Sequence, residues 1–330
     1  MTLPYGATIF GCDGTALSAE EKAFFRDANP FGFILFARNV DTPDQLRRLT
    51  ADLREAVGRD APILVDQEGG RVQRLRPPHW REYLPALDMV ERASDPVRAM
   101  QIRSTLIAAE LRAVGIDANC APVADVAGDA THPFLRNRCY GTDPQVVADL
   151  ARVAADAHLA QGVLPVVKHM PGHGRATADS HRDLPTVTAS AEELERDFAP
   201  FRALSDLPMA MTAHIVFSVF DDAPATCSAT MIDLIRQDIG FDGLLMTDDI
   251  EMEALSGSVA DRSSAAIAAG CDVVLHCNGG MAARRAVAAA AGTMNIAAQR
   301  RGEAAMAARR APEGVDLRAF DAELAALLGA

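Results

Sequence analysis

The sequence predicts an α/β protein, a single (β/α)8 TIM barrel that occupies residues 1–330 as one domain. Eight short apolar runs alternate with helical patterns along the 330 residues, and polar residues follow most of these runs directly. No stretch rich in Pro, Gly and Ser marks a boundary between two domains. A doubly wound open sheet is the alternative. Neither GxGxxG nor GxxxxGK[ST] follows any run, which weakens the nucleotide-binding versions of that fold.

The predicted strands are the eight apolar runs, each short enough to be a buried strand of a parallel barrel. They lie at 7–11, 32–36, 62–65, 116–122, 163–167, 208–214, 243–247 and 272–276, and the fourth is the weakest. Helical patterns fill most of the spaces between them. These helices are expected from Ser18, over 42–57, 97–114, 144–161, 190–204, 258–269 and 281–299, and near the C-terminus. Ser18 and Ser190 are expected to cap their helices, the second through a capping box with Glu193.

The composition excludes several classes of protein. A hydrophobic content of 49% indicates a globular chain, and the net charge of −13 argues against nucleic acid or an anionic membrane as a partner. The six cysteines form no CxxC pair, so reduced and buried thiols are expected. The N-terminus lacks the basic and apolar regions of a signal peptide, and no apolar stretch is long enough to span a membrane. We therefore expect a soluble, cytoplasmic protein. A monomer is expected as its oligomeric state.

The segment from Lys168 to His181 holds the densest group of chemically active side chains. It contains one lysine, three histidines and one aspartate, and it follows the predicted strand at 163–167. Pro171, Gly172 and Gly174 interrupt any helix, so these side chains are expected on a loop. In barrels of this type the loops after the strands carry the chemistry.

Polar residues at the ends of other strands are expected to converge on the same loop. Parallel strands of a barrel deliver their C-terminal ends to one face. Six residues occupy such positions: Asp66, Lys168, His169, His214, Asp248 and His276. The spacing therefore predicts one polar mouth at the C-terminal face of the barrel.

Four segments of the chain carry a resemblance to a known family. They are VDQEGGRVQR at 65–74, KHMPGHG at 168–174 leading to Asp179-Ser180-His181, TDDIEM at 247–252, and NRCYG at 137–141. In order and spacing they resemble the single-domain bacterial β-N-acetylhexosaminidases of glycoside hydrolase family 3, the NagZ type of peptidoglycan recycling. The departures are mild: Met170 for Phe, Cys139-Tyr140 for Ser-Phe, and Thr247 for Ser.

The resemblance implies a retaining glycoside hydrolase that needs no metal or organic cofactor. Asp248 would be the nucleophile, while Asp249 fits a helix-capping role better. The proton donor and acceptor would be His181, oriented by Asp179, since an imidazole with an ordinary pKa of about 6.5 can donate and accept protons near neutral pH. The implied substrates are small glycans: cell-wall muropeptide fragments that carry terminal β-linked N-acetylglucosamine on anhydro-N-acetylmuramic acid, with or without peptide.

Five further residues are implied as the sugar-binding set: Asp66, Arg74, Arg138, Lys168 and His169. Carboxylates accept hydrogen bonds from hydroxyl pairs, and cationic side chains donate to them. Glu68 and Arg71 are expected to be structural partners of this set. His173 and His214 are expected in the wall of the pocket or behind it.

Three alternatives remain open from the sequence. His169 and His173 have the HxxxH spacing of some zinc sites, although Pro171-Gly172 breaks the helix that such a site requires. This first alternative is a barrel metallohydrolase or deaminase. Metal analysis of the purified protein and activity after chelation would distinguish it from a glycoside hydrolase. A non-catalytic sugar-binding protein is the second alternative, and phosphorolysis instead of hydrolysis is the third.

Overall fold

The computed structural model describes residues 4–176 and 184–329, and its centre is a closed barrel of eight parallel strands. The strands are β1 Gly6–Gly11, β2 Pro30–Leu35, β3 Ile63–Val65, β4 Ala118–Asn119, β5 Leu164–Met170, β6 Met209–Thr212, β7 Leu244–Asp249 and β8 Val273–His276. Each strand pairs with its neighbour in sequence, and β8 closes the ring on β1. Every predicted apolar run overlaps one of these strands, which confirms the (β/α)8 fold.

Helices surround the barrel on the outside. They are α1 Ala19–Ala28, α2 Pro43–Val57, α3 Ala86–Arg92, α4 Pro96–Arg112, α5 Pro133–Arg136, α6 Pro144–Ala160, α7 Ala191–Ala203, α8 Ala229–Asp233, α9 Val259–Ala269, α10 Met281–Ala291, α11 Ile296–Ala307 and α12 Leu317–Leu327. Shorter elements are the 3₁₀ turns Ala37–Asn39 and Ala225–Cys227, a π turn Leu234–Asp238, and a parallel pair formed by Thr186–Val187 and Val216–Phe217. Within the described ranges, no helix is long and apolar enough to cross a membrane.

The predicted helix starts at Ser18 and Ser190 are confirmed. Each serine side chain accepts a hydrogen bond from the backbone N–H three residues later, and the glutamate at that position returns a bond to the serine backbone. These reciprocal bonds satisfy backbone N–H groups that have no partner within the helix, which is why both helices begin at the serine.

The predicted helix over 281–299 is wrong in one respect, because the chain makes two helices there. Gly292 ends α10 with a positive φ of +65°, and Asn295 caps the start of α11. Gly292 and Met294 bond to β1 and to the residue before it: the Gly292 carbonyl accepts from Ala7 N–H at 2.9 Å, and Met294 N–H donates to the Tyr5 carbonyl at 2.8 Å. These contacts to Tyr5 and Ala7 replace the helical hydrogen bonds that a continuous helix would have made.

Arg38 links the C-terminal ends of the first and last strands of the barrel by hydrogen bonds. Its guanidinium donates to the Cys12 carbonyl at 3.0 Å, to the Cys277 carbonyl at 2.5 Å and to the Asn278 side chain at 2.8 Å. Cys12 follows β1 and Cys277 follows β8, so one side chain after β2 fixes the ends of three strands. The turn after β8 thereby has a defined position next to the site described below.

Candidate active site

A polar cavity of about 340 Å³ lies at the C-terminal ends of the barrel strands. Six predicted site residues line it: Asp66, Arg74, Arg138, Lys168, His169 and Asp248. Its other walls include Arg71, His173 and Asp249 together with apolar side chains such as Phe36, Phe134 and Met252. The size is within the range of small-ligand pockets, and the carboxyl ends of barrel strands are where TIM-barrel enzymes bind ligands.

Lys168 and Asp66 form the centre of the charged wall. Lys168 Nζ is 2.8 Å from Asp66 Oδ1, and Arg74 Nη2 is 3.1 Å from Asp66 Oδ2. Burial disfavours the charged forms of both Lys168 and Asp66. At Asp66 the attraction of Lys168 and Arg74 outweighs this effect of burial, so the pKa of the carboxyl group lies well below its ordinary value. The carboxylates around Lys168 likewise hold the pKa of its ammonium above the ordinary value.

Glu68 connects Lys168 to Arg138 from behind the cavity. Its Oε1 is 2.6 Å from Lys168 Nζ, and both of its oxygens accept from the Arg138 guanidinium at 2.8 Å. Burial opposes ionisation of Glu68, but Arg138 and Lys168 lower its pKa to about 2. The expectation that Glu68 is a structural partner of the sugar-binding set therefore agrees with its contacts.

Arg71 lies on the cavity wall with its guanidinium carbon 3.4 Å from the centroid of the Phe134 ring.

His169 is held by an aspartate that the sequence reasoning missed. Asp125 is completely buried, and its Oδ2 is 2.7 Å from His169 Nδ1. The Lys168–His169 peptide bond is cis, and both side chains line the cavity. The one signal for Asp125 was an isolated acid within the apolar segment VADVAG at 123–128, a position where a carboxylate needs a partner.

Asp248 lies at the end of β7 and opens onto the cavity. Its Oδ1 accepts from the Asp249 backbone N–H at 2.8 Å. The carboxylate makes no other hydrogen bond to any residue that the structure describes. Burial raises its pKa, but His214 and His169 act in the opposite direction, and the net pKa is below the ordinary value. Asp248 is thus an ionised carboxylate on a rigid strand with oxygens exposed to a ligand.

Asp249 does not cap a helix, contrary to expectation. Its Oδ1 accepts from the backbone N–H groups of Cys277 at 3.1 Å and Glu251 at 3.2 Å, so it ties β7 to the turn after β8. The next helix, α9, begins ten residues later and is capped by Ser258. Burial raises the pKa of Asp249 to about 6, against the lowering effect of the two N–H groups.

The prediction that six strand-end side chains converge is right for four and wrong for His214 and His276. His214 is buried behind the cavity, with Nδ1 2.7 Å from Thr226 Oγ1 and Nε2 3.0 Å from the Asp249 carbonyl. Along β8 and the residue that follows it, alternation sends Leu275 and Cys277 to the cavity and His276 to the opposite side. The His276 ring packs against Phe10 there, with 5.8 Å between centroids.

The predicted proton donor His181 and its orienting partner Asp179 lie outside the described residues, and their roles stay predictions. His173, also in the predicted loop, is buried and lines the cavity, with its ring 5.4 Å from that of His169. Over residues 4–176 and 184–329, no group of three or more His, Cys, Asp or Glu side chains is arranged to hold a metal ion.

Comparison with known proteins connects this geometry to a family. The glycosyl hydrolase family 3 N-terminal domain matches residues 10–307. The β-hexosaminidase of Bordetella avium is 39% identical over 84% of this chain and 81% of its own length. That of Pseudomonas aeruginosa is 37% identical over 86% of each chain.

Solved structures show the same relationship. NagZ from Neisseria gonorrhoeae, crystallised with N-trifluoroacetyl-D-glucosamine, superposes with a TM-score of 0.85 at 32% identity and covers 99% of this chain and 98% of its own. A family 3 β-N-acetylglucosaminidase from Paenibacillus gives a TM-score of 0.86 at 29% identity, over 99% of this chain and 68% of its own. The chain therefore belongs to glycoside hydrolase family 3 and is a β-N-acetylhexosaminidase of the NagZ type.

Proposed function

We propose that this enzyme removes terminal β-linked N-acetylglucosamine from muropeptide fragments, with retention of configuration, through a covalent glycosyl–Asp248 intermediate. The substrates would be N-acetylglucosaminyl-anhydro-N-acetylmuramic acid species with or without peptide, as in peptidoglycan recycling. The observation that supports the proposal is the position of Asp248, an ionised carboxylate that opens onto the same cavity as the charged wall of Asp66, Lys168 and Arg138.

The proposed reaction has two steps that use the same two groups. In the first, an Asp248 oxygen attacks the anomeric carbon while His181, oriented by Asp179, gives its proton to the departing glycosidic oxygen. In the second, His181 takes a proton from water, and the hydroxide oxygen displaces Asp248 from the sugar. Two inversions give net retention. The imidazole replaces the second carboxylate that most retaining glycosidases use.

The charged wall would bind the sugar that is released. Arg74, Arg138 and Lys168 can donate hydrogen bonds to ring hydroxyls or to the N-acetyl carbonyl, and Asp66 and His169 can accept from hydroxyls. Charges that are already paired within the protein need not be desolvated again when the sugar enters. Preorganised donors of this kind also stabilise the charge that develops on the sugar in the transition state.

We further propose that the chain acts in the cytoplasm as a single-domain monomer, without cofactor, metal, nucleic-acid or membrane partner. The net charge of −13 supports the part that concerns nucleic acid and anionic membranes. Size-exclusion chromatography with light scattering measures the oligomeric state directly.

The first prediction is that the enzyme cleaves a nitrophenyl N-acetyl-β-glucosaminide much faster than the matching β-glucoside, with and without phosphate. ¹H NMR of the first-formed sugar should show the β anomer, as retention requires. A 2-fluoro sugar should label Asp248, which mass spectrometry of the peptide containing both carboxylates can distinguish from Asp249. Faster glucoside turnover would reject the substrate, a sugar phosphate product would reject hydrolysis, and labelling of Asp249 would reject the nucleophile.

A further inference from the structure

Asp125 occupies a completely buried position directly beside the sugar-binding wall. The segment that carries it extends β4 along β5: Lys168 N–H donates to the Pro122 carbonyl at 3.0 Å, and Ala124 N–H donates to the Lys168 carbonyl at 2.8 Å. The Asp125 side chain therefore lies next to the strand end that carries Lys168 and His169. A buried carboxylate without partners would be costly, so its hydrogen bonds indicate its role.

Both oxygens of Asp125 are used, and each of their partners belongs to the strand end or loop that carries the predicted catalytic groups. Oδ2 is 2.7 Å from His169 Nδ1. Oδ1 accepts from the backbone N–H of His173 at 2.6 Å and from that of His169 at 3.3 Å. Burial raises the pKa of Asp125, but the His169 ring and the donors around it bring the net pKa below its ordinary value, so the side chain is a carboxylate that can only accept.

We propose that Asp125 is a positioning residue that fixes the ring orientation and tautomer of His169, so that Nε2 is presented to the sugar as a hydrogen-bond acceptor. This inference rests on the proposed sugar-binding role of His169. A carboxylate at Nδ1 keeps the proton on that nitrogen, and in the neutral ring the lone pair is then on Nε2. Within the described part of the chain, Nε2 makes no hydrogen bond.

The acceptor matters because the rest of the wall is rich in donors. Arg74, Arg138 and Lys168 carry no acceptor, and the Asp66 carboxylate already binds Lys168 and Arg74. A sugar hydroxyl is both donor and acceptor, and it binds best where the protein offers both. His169 in the tautomer set by Asp125 accepts from a hydroxyl whose oxygen receives a bond from a neighbouring cation. A ligand that replaces this hydroxyl with an ether would lose the contact.

The tautomer can be measured without relying on activity. In protein labelled with ¹⁵N-histidine, two-bond ¹H–¹⁵N correlations distinguish the protonated from the unprotonated ring nitrogen, and a His169→Gln variant assigns the signal. We expect Nδ1–H in the natural protein near pH 8. A His169 ring with its proton on Nε2 would overturn the proposal, even if no variant at Asp125 folds.

The second prediction is that Asp125→Asn reverses the tautomer. The amide oxygen can still accept from His173 N–H, but the amide N–H group then faces Nδ1 and must donate to it, which moves the ring proton to Nε2. On the chromogenic N-acetylglucosaminide, KM should rise roughly tenfold and kcat should change by less than about threefold, because the lost contact is made by both bound substrate and transition state. Exposed Asp129→Asn, in the same segment, is the matched control and should change neither constant.

A double variant separates action through His169 from general support of the fold. If Asp125 acts through His169, then Asp125→Asn combined with His169→Gln should have the same KM as His169→Gln alone. Losses that multiply, or a tautomer unchanged in Asp125→Asn, would overturn the proposal. Failure of the natural enzyme to cleave any N-acetylglucosaminide would instead reject the proposed function and leave the tautomer measurement intact.

Discussion

Lys168 is the residue on which the charge balance of the site depends. Its side chain is 2% exposed, and its Nζ lies 2.8 Å from Asp66 and 2.6 Å from Glu68. A buried cation of this kind is tolerated only when its attraction to partners exceeds the cost of desolvation. The two carboxylates supply that attraction, and each also holds an arginine at the cavity wall. The positions of three cations therefore depend on two acids.

The third prediction concerns Glu68. Glu68→Gln keeps the shape of the side chain but removes its charge, so Arg138 and Lys168 are left with one carboxylate fewer. The free energy of unfolding should fall by about 3 kcal/mol, as for other broken buried pairs, and KM for the substrate should rise. Urea unfolding and steady-state kinetics measure the two effects.

A matched control for this change is Glu82→Gln. Glu82 pairs with Arg76 at 2.6 Å, but their side chains are 53% and 41% exposed, and such surface pairs contribute less than about 1 kcal/mol. If Glu82→Gln lowered the free energy of unfolding and raised KM as much as Glu68→Gln does, burial could not be the reason for the effect at Glu68.

Individual site residues could be predicted from the sequence only where a motif or a strand end marked them. Asp66, Lys168 and Asp248 follow clear apolar runs, and all three line the cavity. His276 also ends such a run, but the face to which a side chain points depends on strand register, which the run alone does not specify. Asp125 lies in an irregular segment after a strand of two residues, so no periodicity indicated its direction.

At the level of elements, the first residues of the loop after β5, up to Ala176, are held by contact with the segment after β4. A Cβ atom at Gly174 would lie 1.9 Å from the Val126 carbonyl oxygen, so the two backbones are closer than any other residue allows. The Gly174 carbonyl also accepts from Thr131 Oγ1 at 2.5 Å. This contact positions the chain immediately before residues 177–183, which carry Asp179 and His181.

The fourth prediction is that Gly174→Ala separates these two segments. The methyl group cannot be accommodated without moving backbone, so we expect a loss of about 1–3 kcal/mol in the free energy of unfolding and a fall in kcat. Gly314→Ala is the control, because a Cβ atom there meets no atom within 4 Å. Similar stabilities of the two variants would indicate that the loop can shift freely.

Element boundaries could be predicted where local capping determines them and not where distant contacts do. Ser18 and Ser190 start their helices through bonds within four residues, and the sequence shows both. The break between α10 and α11 depends on hydrogen bonds that join Gly292 and Met294 to Ala7 and Tyr5, nearly 290 residues earlier in the chain. An alanine-rich run gives no indication of such a partner.

At the level of the whole molecule, several histidines are buried in the neutral state. Burial lowers the pKa of His158, His173 and His276 to about 4, while an unfolded chain would titrate near 6.5. Between these values the unfolded state binds more protons, so these groups contribute stability above pH 6.5 that is lost as the pH falls toward 4. Asp249 has the opposite effect: because its pKa is raised to about 6, the folded state binds a proton there that the unfolded state does not. This offsets roughly one of the three protons that the histidines bind on unfolding.

The fifth prediction follows from this balance. Between pH 6.5 and 4.5 the free energy of unfolding should decrease with falling pH, by on the order of 2 kcal/mol per pH unit. Urea unfolding at pH 7, 6 and 5 measures the slope. His276→Gln should reduce this slope by the contribution of about one proton. Equal stability at pH 5 and pH 7 would contradict the assignment of neutral buried imidazoles.

The pairing of β8 with β1 determines how early during synthesis the barrel can close. Thr8 pairs with Val274 and Ile9 with Leu275, so the first strand leaves the ribosome long before its second partner has been made. At common elongation rates the delay is roughly half a minute. Throughout it, β1 and the most recently made strand present open edges that can pair with other chains. The barrel therefore cannot close before β8 has been made, and the open edges need protection until then.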